Sequence, residues 1–193
     1  VDKQATINLR VNSPGGSVFA ARAMEQALRA HKGRVVVHID GLAASAATFI
    51  AMAGDEVIMS KGAMFMIHKA WTGMWGNAED LRKEADLLDK IDGTLAETYA
   101  EKTGKDVAAI SEWMAAETWF TAQEALDAGF ATSIAEAEAK ALAWDLSAYS
   151  NAPKAERQTQ PEPAPTPEPE PTASDEHRDR QQQRLRVLSL LAA

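Results

Sequence analysis

An α/β fold of repeated strand, turn and helix units is the architecture this sequence predicts for residues 1–150. Three observations predict it. The run Val35-Val36-Val37-His38-Ile39 is β-branched and nearly uninterrupted, the signature of a strand buried on both faces. Glycines and the Asn12-Ser13-Pro14-Gly15-Gly16 turn punctuate the chain where strand patterns give way to helical ones. Apolar residues of helical spacing then alternate with short strand-like runs, the order expected of mixed α/β layers.

Taken in order, Ile7-Asn8-Leu9-Arg10-Val11 alternates as a strand and enters the Gly15-Gly16 turn. Val18, Met24, Ala27 and Leu28 mark a helix that ends before Gly33. The strand at Val35–Ile39 leads to Gly41, which is expected to open an Ala-rich helix closing at Gly54, with Ser45 near its first turn. Two short strands follow, Glu56 to Met59 and Ala63 to His68, separated by Lys61-Gly62. Asn77 is an N-cap with Glu79 and Asp80 in the first turn of a long helix. Leu81, Leu88, Ile91, Leu95 and Tyr99 give that helix one apolar face, and Gly104 ends it. Val107, Ile110 and Met114 mark another helix, and Thr121-Ala122-Gln123-Glu124 is a capping box for a short one closed by Gly129.

The chain has 193 residues, 46% of them hydrophobic, enough for one well-buried domain and a tail. Seven of the eight prolines follow residue 150, so residues 151–178 are expected to be a disordered, Pro/Glu-rich linker. Residues 179–193 carry Leu185, Val187, Leu188, Leu190 and Leu191 among Arg and Gln, a short amphipathic segment. The sequence begins at Val1 inside a strand pattern, from which an N-terminal portion is expected to be missing. Cysteine is absent, which removes disulfides and thiolate chemistry and suits a reducing, cytoplasmic setting. The net charge is -8, of which residues 1–150 contribute 14 basic and 21 acidic side chains, and this argues against a nucleic-acid backbone as partner. No apolar run approaches the roughly 20 residues that span a bilayer; the longest, Leu42 to Ala53, is short and Ala-rich.

Chemistry must therefore come from oxygen and nitrogen groups. Ser45 sits in Gly41-Leu42-Ala43-Ala44-Ser45-Ala46-Ala47, where a strand meets a helix start lined with small residues. A hydroxyl there lies near free backbone N–H groups, a position suited to a nucleophile, although a serine at a helix start also serves as a cap. His68 follows the apolar Met64-Phe65-Met66-Ile67 and supplies a base of the right strength for a serine. Lys69 is the other candidate base, but neighbours along a strand face opposite ways. His31, His38 and His177 read as ordinary structural histidines. Gly15 and Gly16 would let a substrate backbone approach, as an oxyanion hole or a strand-binding edge requires. The stretch lacks the spacing of a phosphate loop, and an ordinary tight turn is its other reading.

In this order and at these separations, Asn12-Ser13-Pro14-Gly15-Gly16, Gly41-Leu42-Ala43-Ala44-Ser45 and Met66-Ile67-His68 resemble the proteolytic subunit of the Clp protease (ClpP). The resemblance runs from about Ile7 to Ile134 and includes Ala122-Gln123-Glu124-Ala125 and Ala128-Gly129-Phe130. It implies a crotonase-like fold of repeated ββα units and a serine endopeptidase that needs neither metal nor organic cofactor. It implies Ser45 as nucleophile, His68 as base, and the N–H groups of Gly16 and Ala46 as oxyanion hole, with substrate adding as a strand beside Gly15-Gly16. Residues Ala78 to Glu101 are similar to the family's handle helix, which joins stacked homo-oligomeric rings, and a Clp ATPase is the implied partner.

One stretch departs from the family pattern. Its third triad member is an Asp just before an aromatic and a Ser or Thr, whereas this chain has Ala116-Glu117-Thr118-Trp119-Phe120-Thr121. Thr118 or Glu117 falls at that place; a carboxylate would orient and charge-stabilise His68, a hydroxyl would only orient it. The Glu-Thr-Trp-Phe-Thr version and the acidic proline tail resemble the ClpP-related head maturation proteases of tailed phages, which implies capsid or scaffold proteins as substrates and a prohead location. Two other readings are kept: a ClpP-like assembly subunit that has lost efficient turnover, and an acyl-CoA-binding member of the crotonase-like fold.

Overall fold

Strand β2 (Val35–Ala44) is the axis on which the other strands are hung. On one side it pairs in parallel with β1 (Ile7–Ser13), from Ile7 opposite Val35 to Val11 opposite Ile39, with Ser13 opposite Ala43 after a register shift. On the other side it changes neighbour along its length. Val36 to Ile39 pair in parallel with β3 (Glu56–Lys61), whereas Leu42 to Ala44 pair in parallel with β4 (Met64–Ile67). Gly41 lies between the two paired stretches. The sheet is extended by β5 (Thr118–Thr121), antiparallel to β4, and by β6 (Ser133–Glu138), parallel to β3.

The computed structural model describes residues 4–138 and 144–153. A second unit, residues 154–193, holds most of the proline-rich linker and all of the terminal amphipathic segment, and it lies outside the described residues.

Helix α1 (Val18–Arg29) starts where the Ser17 hydroxyl accepts from the Ala20 N–H. Helix α2 (Ala46–Ala51) is a short buried element between β2 and β3. Helix α3 (Ala78–Thr103) has the anticipated N-cap Asn77, which with Asp80 forms a capping box, and ends at Gly104. Helix α4 (Val107–Ala115) precedes β5, and α5 (Ala122–Ala128) has its own capping box, Thr121 with Glu124.

Two expectations are corrected. The Ala-rich helix begins after Ser45 rather than at Gly41, because the backbone of Leu42–Ala44 bonds to β4; strand pairing overrides a local helical composition. The apolar face of α3 is buried only in its second half, at Leu95, Ala96 and Tyr99, while Leu81 and Leu87 are exposed. Strands β5 and β6 carried no recognisable period in the sequence, being four and six residues long.

The core joins the sheet to buried residues of helices α1 to α5 and is rich in aromatic contacts. Phe65 stacks on Phe130 at 4.9 Å, and Tyr99 meets Phe130 and Phe49 edge-on at 5.8 and 6.3 Å. Tyr99 also brings a hydroxyl into this apolar volume. Its phenol is pushed up to about 12 by burial, and its partner is the Thr48 hydroxyl at 2.8 Å, which also donates to the Ser45 carbonyl at 2.6 Å. Thr48 thus ties α3 to the first turn of α2.

Thr48→Val is expected to cost about 1–3 kcal/mol, because it leaves the buried Tyr99 hydroxyl without a partner. Tyr99→Phe should cost less, since Thr48 retains the Ser45 carbonyl. Urea unfolding midpoints of the two variants check the ranking; equal losses would show that the shared bond is not what matters.

Candidate active site

The β2–β4 pairing runs from Leu42 opposite Met64 to Ala44 opposite Met66, and the Ser45 N–H continues it by donating to the Met66 carbonyl at 2.9 Å. That register delivers Ser45 beside the end of β4, where His68 is the first residue beyond the strand. The Ser45 Oγ and His68 Nε2 are 2.7 Å apart. Both side chains are half-buried.

Ser45 occupies the cap position of α2 but makes no side-chain cap bond, so its hydroxyl is available to His68. Its backbone has φ 55° and ψ -128°, a conformation non-glycine residues rarely adopt and that costs about 1–3 kcal/mol. The result is the sharp strand-to-helix turn typical of exposed nucleophiles, reached without flanking glycines. Small, buried neighbours make it possible: Ala44, Ala46 and Ala47. Gly15 closes the turn from β1. At φ 108° a Cβ there would lie 2.7 Å from the Ser45 Cβ and 2.8 Å from the Ala44 carbonyl oxygen, so only glycine fits. Gly16 follows with open space about it.

The chain after His68 is pinned on two sides. The Lys69 N–H donates to the Met114 carbonyl at 3.1 Å, and the Ala70 N–H donates to Asp92 on α3 at 2.7 Å. The Lys69 side chain is exposed. Burial pushes the His68 imidazole below its ordinary value, while Glu117 and then Asp92 pull it back up. At neutral pH the imidazole is therefore neutral and able to accept a proton. Asp92 itself is raised by burial, against the Ala70 N–H and Lys69.

The candidates for the third member lie apart from the imidazole. The Thr118 hydroxyl donates to the Trp113 carbonyl at 2.7 Å. Glu117 sits in a left-handed backbone conformation, φ 49°, at the entrance of β5. Its carboxylate accepts from the N–H groups of Ser150 at 3.0 Å and Asn151 at 2.6 Å and from the Trp119 indole at 3.3 Å. Burial alone would raise this carboxyl, but those donors, Asn151 foremost, hold it below the usual value. Among the described residues, neither Glu117 nor Thr118 hydrogen-bonds His68; Glu117 acts on it through space.

Two participants were missed in the sequence. Asp92 looked like one of many charges on an exposed helix, and only its spacing along α3 from the buried Leu95 and Tyr99 hinted at an inward position. Tyr149 was read as the end of the globular part, yet its ring meets His68 edge-on at 5.3 Å. The other histidines have ordinary partners: His31 bonds the Ala5 carbonyl at 2.7 Å and His38 the Asn8 side chain at 3.4 Å, while His177 lies outside the described residues. Among the described residues no group of His, Asp and Glu is arranged to hold a metal ion, and no helix is long and apolar enough to cross a membrane.

Comparison with known proteins places the sequence in a family. The Clp protease family model matches residues 1–138. The chain is 35% identical over 137 residues to ATP-dependent Clp protease proteolytic subunit 1 of Leifsonia xyli subsp. xyli, covering 70% of each chain. It is 34% identical over 142 residues to proteolytic subunit 2 of Rhodococcus jostii, covering 72% of this chain and 73% of that one. It is 34% identical over 139 residues to the proteolytic subunit of Streptococcus agalactiae, covering 70% and 71%. With a mixed α/β sheet that brings Ser45, His68 and Gly15 together, and a family model spanning the whole of that sheet, the chain belongs to the Clp protease family.

Proposed function

We propose that this chain is a serine-type endopeptidase that cleaves polypeptides by acyl transfer, with Ser45 as nucleophile and His68 as general base. The observation that carries the reading is the 2.7 Å contact between the Ser45 Oγ and the His68 Nε2. In the reaction, Nε2 takes the hydroxyl proton as Oγ attacks a peptide carbonyl. The N–H groups of Gly16 and Ala46 receive the oxyanion, His68 returns the proton to the leaving amine, and water resolves the acyl-enzyme by the same steps in reverse. Substrate adds as a strand beside Gly15-Gly16, just beyond the end of β1.

The imidazolium formed during attack needs negative charge nearby. Glu117 is the stronger influence on His68 and Asp92 the second, so Glu117 is assigned the triad's carboxylate role and Asp92 a supporting one. Thr118 is given none, because its hydroxyl is committed to Trp113.

The wider setting follows the family. The relatives' names carry "ATP-dependent" and "proteolytic subunit", which supports assembly of this chain into homo-oligomeric rings and feeding of unfolded polypeptide by a Clp ATPase. Exposed Trp71, Trp75, Leu81 and Leu87, at and before the projecting half of α3, are the surface such assembly would cover. The Glu117-Thr118-Trp119-Phe120-Thr121 stretch supports the narrower assignment to phage head maturation, with scaffold or capsid proteins as substrates. A second reading, an assembly subunit with weak turnover, is favoured by the lack of a carboxylate bonded directly to His68 among the described residues.

A fluorophosphonate probe is expected to label the chain at Ser45, to fail on Ser45→Ala, and to react about 10²–10⁴-fold more slowly with His68→Ala. A folded, oligomeric chain that takes no label would instead support the assembly subunit. Gly15→Ala should abolish labelling while leaving the far-UV spectrum intact, because the new methyl group displaces the Ser45 turn.

The acidic limb of kcat/KM against pH reports His68 losing its proton, and burial puts that limb below the ordinary histidine value of 6.5. Both carboxylates raise the imidazole's affinity for a proton, so Glu117→Gln and Asp92→Asn should each move the limb to lower pH, Glu117→Gln further. Thr118→Val should leave it in place. A limb indifferent to both carboxylates would remove them from the mechanism.

A further inference from the structure

Residues 144–153 lie across the site just described. The Trp144 indole donates to the Asn12 side chain at 3.0 Å, at the end of β1. Asp145 accepts from the Ser147 N–H at 3.0 Å and Leu146 from the Tyr149 N–H at 3.0 Å, which turns the segment back on itself. Leu146 and Tyr149 cover a patch of Leu42, Ala44 and Met66 with Met64 and Trp119. The Tyr149 ring stands edge-on to both His68 and Trp119. Its hydroxyl donates to the Pro14 carbonyl and also meets the Ser45 side chain. Beyond it, the consecutive N–H groups of Ser150 and Asn151 donate to the two oxygens of Glu117, and the Asn151 side chain donates to the Ala116 carbonyl at 2.8 Å.

These are the groups a polypeptide would have to reach. The Pro14 carbonyl adjoins Gly15-Gly16, beside which a substrate strand would add on the peptidase reading, Ser45 and His68 are that reading's reacting pair, and the small apolar patch beside them is where a substrate side chain would rest. One short segment engages all of them. It does so as a ligand does, with one aromatic anchor, backbone donors on a carboxylate and little buried area elsewhere. Trp144, Asp145, Ser147, Ala148, Ser150 and Asn151 remain exposed, so the segment can leave without disturbing the core.

We propose that the groove beside Ser45 is a peptide-binding site whose resident ligand is the chain's own segment 144–151, and that a polypeptide substrate gains Ser45 only by displacing it. Glu117 accepts from two successive backbone N–H groups, and Tyr149 is the side chain that packs on the apolar patch and against His68. Being tethered, the segment competes as an intramolecular ligand at high effective concentration. The consequence for turnover rests on the peptidase reading above; the occupancy of the groove does not.

The test uses full-length chains carrying Ser45→Ala, so that nothing is cleaved, and a fluorescent, reduced and carboxymethylated casein as unfolded polypeptide. Adding Tyr149→Ala, or Asn151→Pro, which removes one N–H donor to Glu117, should tighten casein binding about tenfold, the factor expected if the segment is seated nine-tenths of the time. Unchanged binding in both variants, or no binding to any of the three chains, overturns the proposal. Fluorophosphonate labelling of the Ser45 forms separates the two ideas. Tighter casein binding without any labelling leaves the segment's role standing and removes the peptidase. Equal labelling rates with unchanged casein binding remove the segment and leave the peptidase.

Discussion

The parallel register of β2 against β4 is the constraint on which the site depends. Leu42, Ala43 and Ala44 are locked opposite Met64, Phe65 and Met66, and the next N–H along β2 is already bonded to β4. Ser45 and His68 are 23 positions apart in the chain, yet their separation in space is decided by these few ladder bonds. A slip of one residue would turn one of the two side chains to the opposite face of the sheet and separate them. The pairing is possible because β2 leaves β3 near Gly41 and takes β4 as its new neighbour.

Around that register, the molecule concentrates strain and relieves it with small residues. The positive φ of Ser45 is held by Ala44 and Ala46 on either side, by Gly15 pressed against the turn from β1, and by Thr48 beneath it. Thr48 connects this turn through Tyr99 to α3, whose Asp92 holds the backbone immediately after His68. The long helix is therefore linked to the backbone at Ser45 through Tyr99 and Thr48, and to the chain just after His68 through Asp92, while the large apolar residues of its first half stay outside the core. This explains why a helix with so few buried side chains is kept so well capped.

Electrostatically the site is a balance between desolvation and two carboxylates. Burial keeps His68 neutral and available as a base, and Glu117 and Asp92 limit how far it is depressed. Glu117 stands at the meeting point of two roles, acting through space on the imidazole while its oxygens hold Ser150 and Asn151. One carboxylate thus links the position of residues 150 and 151 to the electrostatics of the imidazole.

Much was determined by the sequence alone. The family, the α/β class, the N-cap at Asn77, the capping box at Thr121, and the candidate pair Ser45 and His68 were all legible, because each is carried by residues that are contiguous or by motifs in a set order. What the sequence left open are properties of residues brought together from far apart. The helix start moved from Gly41 to Ala46 because pairing with β4 outweighs the helix preference of an Ala run. Strands β5 and β6 exist only because neighbouring strands offer them backbone partners, and Asp92 matters only because α3 passes beside Ala70. Tyr149 and Glu117 lie 32 positions apart around a turn of the fold, so their joint hold on the site had no local signal. Pairing, strain and through-space charge are set by tertiary contacts, and for that reason only the structure brought Glu117 and Asp92 within electrostatic reach of His68 and set Tyr149 beside it.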